Sequence, residues 1–278
     1  NIVSWNKFSL AWCNTHGFRV CSEFDSCFSE EEIQSVQFRS ALMNYKISVI
    51  GYGNLGFHLV KHLENAGHKI EEIFTRQNVS SIKNQKSKIV SDLSKLNDLS
   101  DVFFLCVKDD VVKDVAKHIS MKGKVIAHCS ASVEKEVLSG CSENFGVFYP
   151  LQSFSKNTET SFKNIPILVE GVNEKTTSVL KEIASSLSDK VIEVSAQQRL
   201  AVHVAAVFAN NFSNHLFSVA EEILKKENIS FDVLIPLIEE TIRKVKSHSP
   251  AETQTGPAIR GDEQTIQKHL AYLSENKE

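Results

Sequence analysis

The chain has 278 residues, 42% of them hydrophobic and 23% charged, with a formal net charge of −3. This excludes a disordered polymer and leaves ample apolar material for a core, at a length that suggests about two domains. The near-neutral charge gives no basic surface for nucleic acid or anionic membrane, and no apolar run is long enough to span a bilayer. The six cysteines show no C-x-x-C or other metal spacing, so no metal site is expected. A cytoplasmic protein acting on a small molecule is the default expectation.

Residues 1–42 contain both tryptophans, Trp5 and Trp12, and three of the six cysteines, without a sustained helical or strand period. Met43 stands just before Asn44-Tyr45 and the first strand pattern. The expectation for 1–42 is an extension, disordered or translated upstream sequence.

Lys46-Ile47-Ser48-Val49-Ile50 reads as a short buried strand. Gly51-Tyr52-Gly53-Asn54-Leu55-Gly56 follows, then a helix with Leu55, Leu59, Val60 and Leu63 on one face and Gly67 as its cap. A G-x-G-x-x-G between strand and helix is a dinucleotide fingerprint: one glycine turns the chain, the next admits a pyrophosphate, and the third lets helix pack on strand. The free N–H groups of the helix then receive the phosphates. Residues 69–74 form a second strand that ends at Thr75-Arg76. That tip carries no Asp or Glu, since Glu71 and Glu72 come too early. A carboxylate at the tip selects NAD, whereas an arginine accommodates the 2′-phosphate of NADP. NADP is therefore expected, and the alternative for Arg76 is an ordinary solvated arginine.

Residues 78–87 read as polar loop or helix. A short strand is expected at 88–91, a weak helix at 93–96 and a continuous apolar strand at 101–107 of the kind covered on both faces. Lys108-Asp109-Asp110 offers a helix cap before a helical period over 111–119. Strands at 124–128, 145–148, 166–169 and 191–194, with a helix at 174–187, complete the alternation. This predicts an α/β doubly wound parallel Rossmann sheet over 43–195.

The region 196–278 is expected to be all helical. One helix spans 196–226, which lacks Gly and Pro, and a second spans 230–246 with Pro236 as a kink. A loop at 249–261 leads to a third helix capped by Asp262 and reaching 273. Residues 200–219 are apolar on every face, the mark of a buried helix. At roughly 100° per residue, His203, Asn210 and Asn214 fall within about 40° of one another, with Arg199 beside them and Asn211 about 80° away. This narrow polar stripe lines either a site or a structural hydrogen-bonded seam. Tyr149 and Gln152, in Tyr149-Pro150-Leu151-Gln152-Ser153-Phe154, follow a strand end and point either into a cleft or around a proline turn. Arg260 and Asp262 flank Gly261, either presenting a guanidinium to a substrate carboxylate or forming a plain loop.

Together these motifs resemble the bacterial Rossmann-like family whose C-terminal half is a domain of unknown function, 2520. Its wider relatives are pyrroline-5-carboxylate reductase, deazaflavin-dependent NADP reductases and β-hydroxyacid dehydrogenases. The resemblance runs from Met43 to about Leu273. It rests on the glycine fingerprint, Val107-Lys108-Asp109-Asp110, Tyr149 to Phe154, Arg199 with His203 through Asn214, Gly256-Pro257-Ala258 and Arg260-Gly261-Asp262. Much of the family has histidine where Tyr149 stands, and the lysine of β-hydroxyacid dehydrogenases is missing from the stripe. The resemblance implies a homodimer built on the helical domain.

Motif and resemblance lead to an NADPH-dependent oxidoreductase passing hydride to a small C=O or C=N substrate. Phosphates would rest on Gly51, Gly53, Asn54, Leu55 and Gly56, the 2′-phosphate on Thr75 and Arg76, and the nicotinamide near Val107, Lys108, His128 and Ser130. His203 is the candidate general acid. Asn210, Asn211 and Arg260 orient the substrate, and Tyr149, Gln152, Asn214 and Asp262 contact it. The alternatives are a non-catalytic NADP(H)-binding regulatory or assembly protein and, more weakly, a pyrroline-5-carboxylate reductase.

Overall fold

The computed structural model describes residues 44–76 and 87–275. The expectations for residues 1–42 and for the polar segment after Arg76 fall almost wholly outside them. Eight strands form one sheet: β1 Lys46–Ile50, β2 Lys69–Phe74, β3 Lys88–Val90, β4 Val102–Leu105, β5 Val125–His128, β6 Asn144–Pro150, β7 Ile167–Gly171 and β8 Val191–Glu193. Their order is β3-β2-β1-β4-β5-β6-β7-β8. The sheet is parallel from β3 through β6, β7 pairs antiparallel with β6, and β8 is parallel to β7. The expected doubly wound parallel sheet is present, with β7 its antiparallel strand near one edge. The connection from β6 to β7 contains no crossover helix, and without a crossover the next strand must return antiparallel.

Helices α1 Asn54–Asn65, α2 Asp109–Ala116 and α3 Glu174–Leu187 cover the sheet. Strand alternation sends Phe104 into a core with Ile47, Val49, Leu59, Leu63, Leu180 and Ile183. Phe103 and Leu105 enter a second core with Ile50, Val112, Ile126 and Leu138. Burial on both faces is why β4 is apolar at every position. The strand order reverses between β1 and β4, so a crevice opens beyond their carboxyl ends, where such sheets bind ligands.

The chain divides into two compact units between Leu200 and Ala201. The second is helical: the end of α4 Ala196–Ala206, a π-helical stretch Val207–Phe212, α5 Ser213–Lys226, α6 Ile235–Val245, the short α7 Pro250–Thr253 and α8 Pro257–Arg260, and α9 Glu263–Glu275. Pro236 does not kink a helix. It sits in the first turn of α6, where its missing N–H costs nothing. The expected loop over 249–261 contains α7, closed by a Ser249–Glu252 capping box, and α8. Asp262 caps α9, accepting hydrogen bonds from the N–H and hydroxyl of Thr265 at 3.2 and 2.8 Å.

Two expectations for the long helix are corrected. No described residue from Ala201 onward is buried, and Phe208 and Leu216 are 63% and 64% exposed. The apolar composition is real, but among the described residues these faces are not covered. The polar stripe also fails, because it assumed uniform α-helical rotation. The π-helical stretch takes in an extra residue, and each added residue turns the downstream face by about 100°. Asn214 therefore stands about 80° from His203 rather than about 20°.

Candidate functional site

The glycine loop joins β1 to α1 at the switch point. Gly51 has φ +107°, and a Cβ there would lie 2.4 Å from the carbonyl oxygen of Cys106. A Cβ on Gly56 would lie 2.0 Å from the carbonyl oxygen of Gly51. Both positions admit only glycine, for packing reasons. Gly53 differs, since nothing lies within 4 Å of its Cβ position. It caps α1 without a side-chain hydrogen bond, and the first turn of α1 carries no acidic residue. The leading N–H groups of α1, beginning at exposed Asn54 and half-buried Leu55, are thus presented to a negatively charged group in open space. A pyrophosphate fits that cradle.

At the tip of β2, Thr75 is buried, and its N–H donates to Val90 O at 3.0 Å. Arg76 is exposed. Glu72, the nearest buried carboxylate, accepts from Lys88 Nζ at 2.6 Å and from the Asn97 N–H at 2.9 Å. Its charge is spent inside the sheet, which leaves the tip without an acid to hold a ribose 2′-hydroxyl.

Beyond β4, Val107 Cγ1 lies 3.0 Å from the Gly51 Cβ position, and exposed Lys108 caps α2. Beyond β5 the structure turns two expected ligands inward. His128 is fully buried, and its Nδ1 accepts from the Ser130 N–H at 3.2 Å. Burial, with the field of Arg199 second, pushes its pKa down to about 4. The Ser130 hydroxyl accepts from the N–H groups of Ser132 and Val133 at 3.2 and 3.1 Å. The Ser130 hydroxyl thus shapes the loop, while His128 Nε2 is buried without a hydrogen-bond partner among the described residues.

This loop is clamped from below. Arg199, 1% exposed, donates from Nε to Ala131 O at 3.0 Å and from Nη2 to Val133 O at 2.7 Å. Its Nη1 pairs with Glu170, whose other oxygen takes Lys135 Nζ at 2.5 Å. Ser132 Oγ donates to Asp109 Oδ2 at 2.7 Å, tying the loop to the start of α2. Arg199 is therefore a loop anchor in the first unit and not part of a polar stripe. Glu170 and Lys135 were missed, although a lone carboxylate in the apolar run Ile167–Gly171 signals a buried cation partner.

Half-buried Tyr149 stands at the end of β6. Burial, then the charge of Asp109, raises its pKa, so it remains a hydroxyl donor. Gln152 is exposed, with Oε1 accepting from the Ser153 N–H at 2.8 Å. The segment after it is fastened to α1. His58 Nε2 and His62 Nε2 donate to Ser155 O and Thr160 O at 2.8 and 2.7 Å, and Lys61 pairs with Glu159 at 2.7 Å. The first unit thus gathers the glycine loop, Thr75, Arg76, Val107, Lys108, Asp109, Ser132 and Tyr149 on elements that end at the carboxyl edge of one sheet. His203 (half-buried), Asn210, Asn211, Asn214 and Arg260 (all exposed) and the helix cap Asp262 belong to the second unit. Among the described residues no cluster of His, Cys, Asp or Glu could hold a metal ion, and no helix is long and apolar enough to cross a membrane.

This fold and loop define a dinucleotide-binding α/β protein of the doubly wound class. Residues 46–132 match the family "NADP oxidoreductase coenzyme F420-dependent", and residues 165–278 match "Domain of unknown function (DUF2520)". A Bacteroides fragilis protein named as an NADP oxidoreductase is 38% identical, with a TM-score of 0.77, over 84% of this chain and 92% of that one. The chain belongs to this NADP oxidoreductase family with the DUF2520 C-terminal region. A Thermotoga maritima protein shares the fold at 24% identity and TM-score 0.68, over 81% of this chain and 90% of that one. A reductive aminase from Aspergillus terreus, in complex with NADPH and ethyl-5-oxohexanoate, shares it at 14% identity and TM-score 0.61, over 73% and 74% of the two chains. No curated protein matches the chain.

Proposed function

We propose that this protein is an NADPH-dependent oxidoreductase that reduces a small C=O or C=N substrate. The observation that carries the reading is the open cradle at Gly53, set at the switch point of the sheet and served by a strand tip with Arg76 and no available carboxylate. Membership of an NADP oxidoreductase family, and an NADPH complex in a protein of the same fold, support it.

The cofactor, when bound, supplies the hydride. The protein's own groups do the rest. The N–H groups opening α1 hold the diphosphate, Thr75 and Arg76 hold the 2′-phosphate as a charge-assisted contact, and Val107 and Lys108 wall the nicotinamide end. The Arg199–Glu170 clamp fixes the 130–133 loop, so that wall needs no reorganisation during reaction. Tyr149, kept protonated, donates a hydrogen bond to the substrate oxygen or nitrogen. In the second unit, His203 is the proposed donor of the proton that follows hydride, and Asn210, Asn211 and Arg260 are proposed to orient the substrate. Asp262 is left with its capping role.

The proposal includes a cytoplasmic homodimer built on the second unit. Its support is the exposed apolar surface there, including Phe208, Phe212, Leu216 and Leu237. Patches of that kind mark protein–protein contact.

The test is NADPH oxidation at 340 nm across a panel of small aldehydes, ketones, keto acids and cyclic imines, with His203→Ala beside the wild type. Turnover on at least one carbonyl or imine, abolished in His203→Ala while NADPH still binds, is expected. Binding without turnover on the whole panel would replace this reading with a non-catalytic NADP(H)-binding protein. Turnover confined to pyrroline-5-carboxylate would make it that reductase.

A further inference from the structure

Cys106 lies against the glycine loop, and Cys129 lies beside Cys106. Cys106 follows β4 and Cys129 follows β5, in parallel strands whose last register pair is Leu105 with His128. The Cys129 N–H continues that register, donating to Leu105 O at 3.1 Å. Both thiols therefore leave the sheet on the same face, and their sulfurs are 3.6 Å apart. Both are free and 9% exposed. Neighbouring strands run about 4.8 Å apart, inside the Cα separation that a disulfide spans.

The Cys106 end of the pair packs beside the glycine loop. Cys106 O abuts the Gly51 Cβ position at 2.4 Å, and Cys106 Cβ lies 3.4 Å from that of Gly56. Closing the sulfurs from 3.6 Å to a bond of about 2.05 Å must shift one strand end or rotate a side chain beside these glycines. We propose that Cys106 and Cys129 form a redox-modifiable dithiol whose oxidation to a disulfide by a peroxide weakens dinucleotide binding at the adjacent glycine loop. The regulatory half rests on the function proposed above; the chemical half does not.

The chemistry balances with one peroxide. One thiolate sulfur attacks the O–O bond, giving a sulfenic acid and, after protonation, one water. The second thiol then attacks the sulfenyl sulfur and expels a second water. Two thiols and one hydrogen peroxide become one disulfide and two waters, the two sulfur electrons having reduced the peroxide bond. The hydrogen bond between the sulfurs, together with burial, holds Cys129 in the thiol form, so oxidation accelerates as pH rises.

The full-length reduced protein is treated with hydrogen peroxide, with and without saturating NADP, and digested with trypsin under non-reducing conditions. The expected product joins the peptides 96–108 and 125–135, about 2 Da lighter than their sum, and NADP protects against it. The dissociation constant for NADPH, read by fluorescence titration, should rise about tenfold or more on oxidation and return with a thiol reductant. Cys106→Ser should lose both the cross-link and the peroxide sensitivity of binding. Cys141→Ser, a buried thiol bonded to Ala116 O, should keep both. Absence of the cross-linked pair, or a cross-linked protein with unchanged NADPH affinity, overturns the inference. Failure of the functional reading shows separately, as absent NADPH binding in the reduced wild type.

Discussion

Three glycines in one loop predict two different outcomes when each becomes alanine. Gly53→Ala places a methyl group where nothing lies within 4 Å, at an ordinary φ of −73°. The folded state should accept it, and the smaller unfolded-state entropy favours it by about 0.4–1 kcal/mol. Yet the methyl occupies the space from which a diphosphate reaches the N–H groups of α1. Losing one charge-assisted hydrogen bond costs about 1.5–3 kcal/mol, which corresponds to about 10- to 150-fold weaker NADPH binding. Gly56→Ala instead drives a methyl to 2.0 Å from Gly51 O, and Gly51→Ala combines a 2.4 Å contact with φ +107°. Both should lower stability by about 1–3 kcal/mol or more. The assay pairs thermal unfolding by circular dichroism with NADPH titration. An alanine at 53 that binds NADPH as tightly as wild type would refute the cradle. Destabilisation at 53 with none at 56 would refute the packing geometry.

Other residues give independent checks. Arg76→Ala should abolish the preference for NADPH over NADH by weakening NADPH alone, so an equal loss for both cofactors contradicts a 2′-phosphate contact. Arg199→Met leaves the Glu170 carboxylate buried without its main partner and should cost about 3–5 kcal/mol in urea unfolding. The double variant with Glu170→Gln should recover part of that, and strict additivity would deny the coupling. His128 has a folded pKa near 4 against an unfolded value of about 6.5. The unfolded chain therefore binds more protons between those values, and stability falls by up to about 3 kcal/mol as pH drops from 6.5 to 4. His128→Asn should flatten that slope, and an unchanged pH profile excludes His128 as its source. Phe208→Lys combined with Leu216→Lys should convert a dimer to a monomer in sedimentation, whereas an unaltered mass removes that face from the interface.

The first unit was legible because its physics is local. A strand buried on both faces must be apolar throughout, a β–α turn under a phosphate must be glycine, and caps follow their helices; β1 through β8 and α1 through α3 all declare themselves this way. The sense of β7 was hidden because direction depends on the connection, which has no periodic signature. The helical unit misled for two separate reasons. Composition says that Phe208 and Leu216 want cover, yet among the described residues both are exposed. The π-helical turn at Val207–Phe212 also breaks the fixed angle per residue on which the stripe depended. At the site, Arg199 looked like part of the stripe because its partners, Glu170 and the 130–133 loop, lie far from it in sequence. Only tertiary structure shows Arg199 as part of a scaffold.

This loop and strand tip are proposed as an NADP site. Its most direct test is calorimetric titration of the reduced full-length protein with NADPH and, separately, NADH. One NADPH per chain is expected, bound at least about tenfold more tightly than NADH, the difference set by one charge-assisted contact to Arg76. Saturable binding of neither cofactor, or tighter binding of NADH, would contradict it.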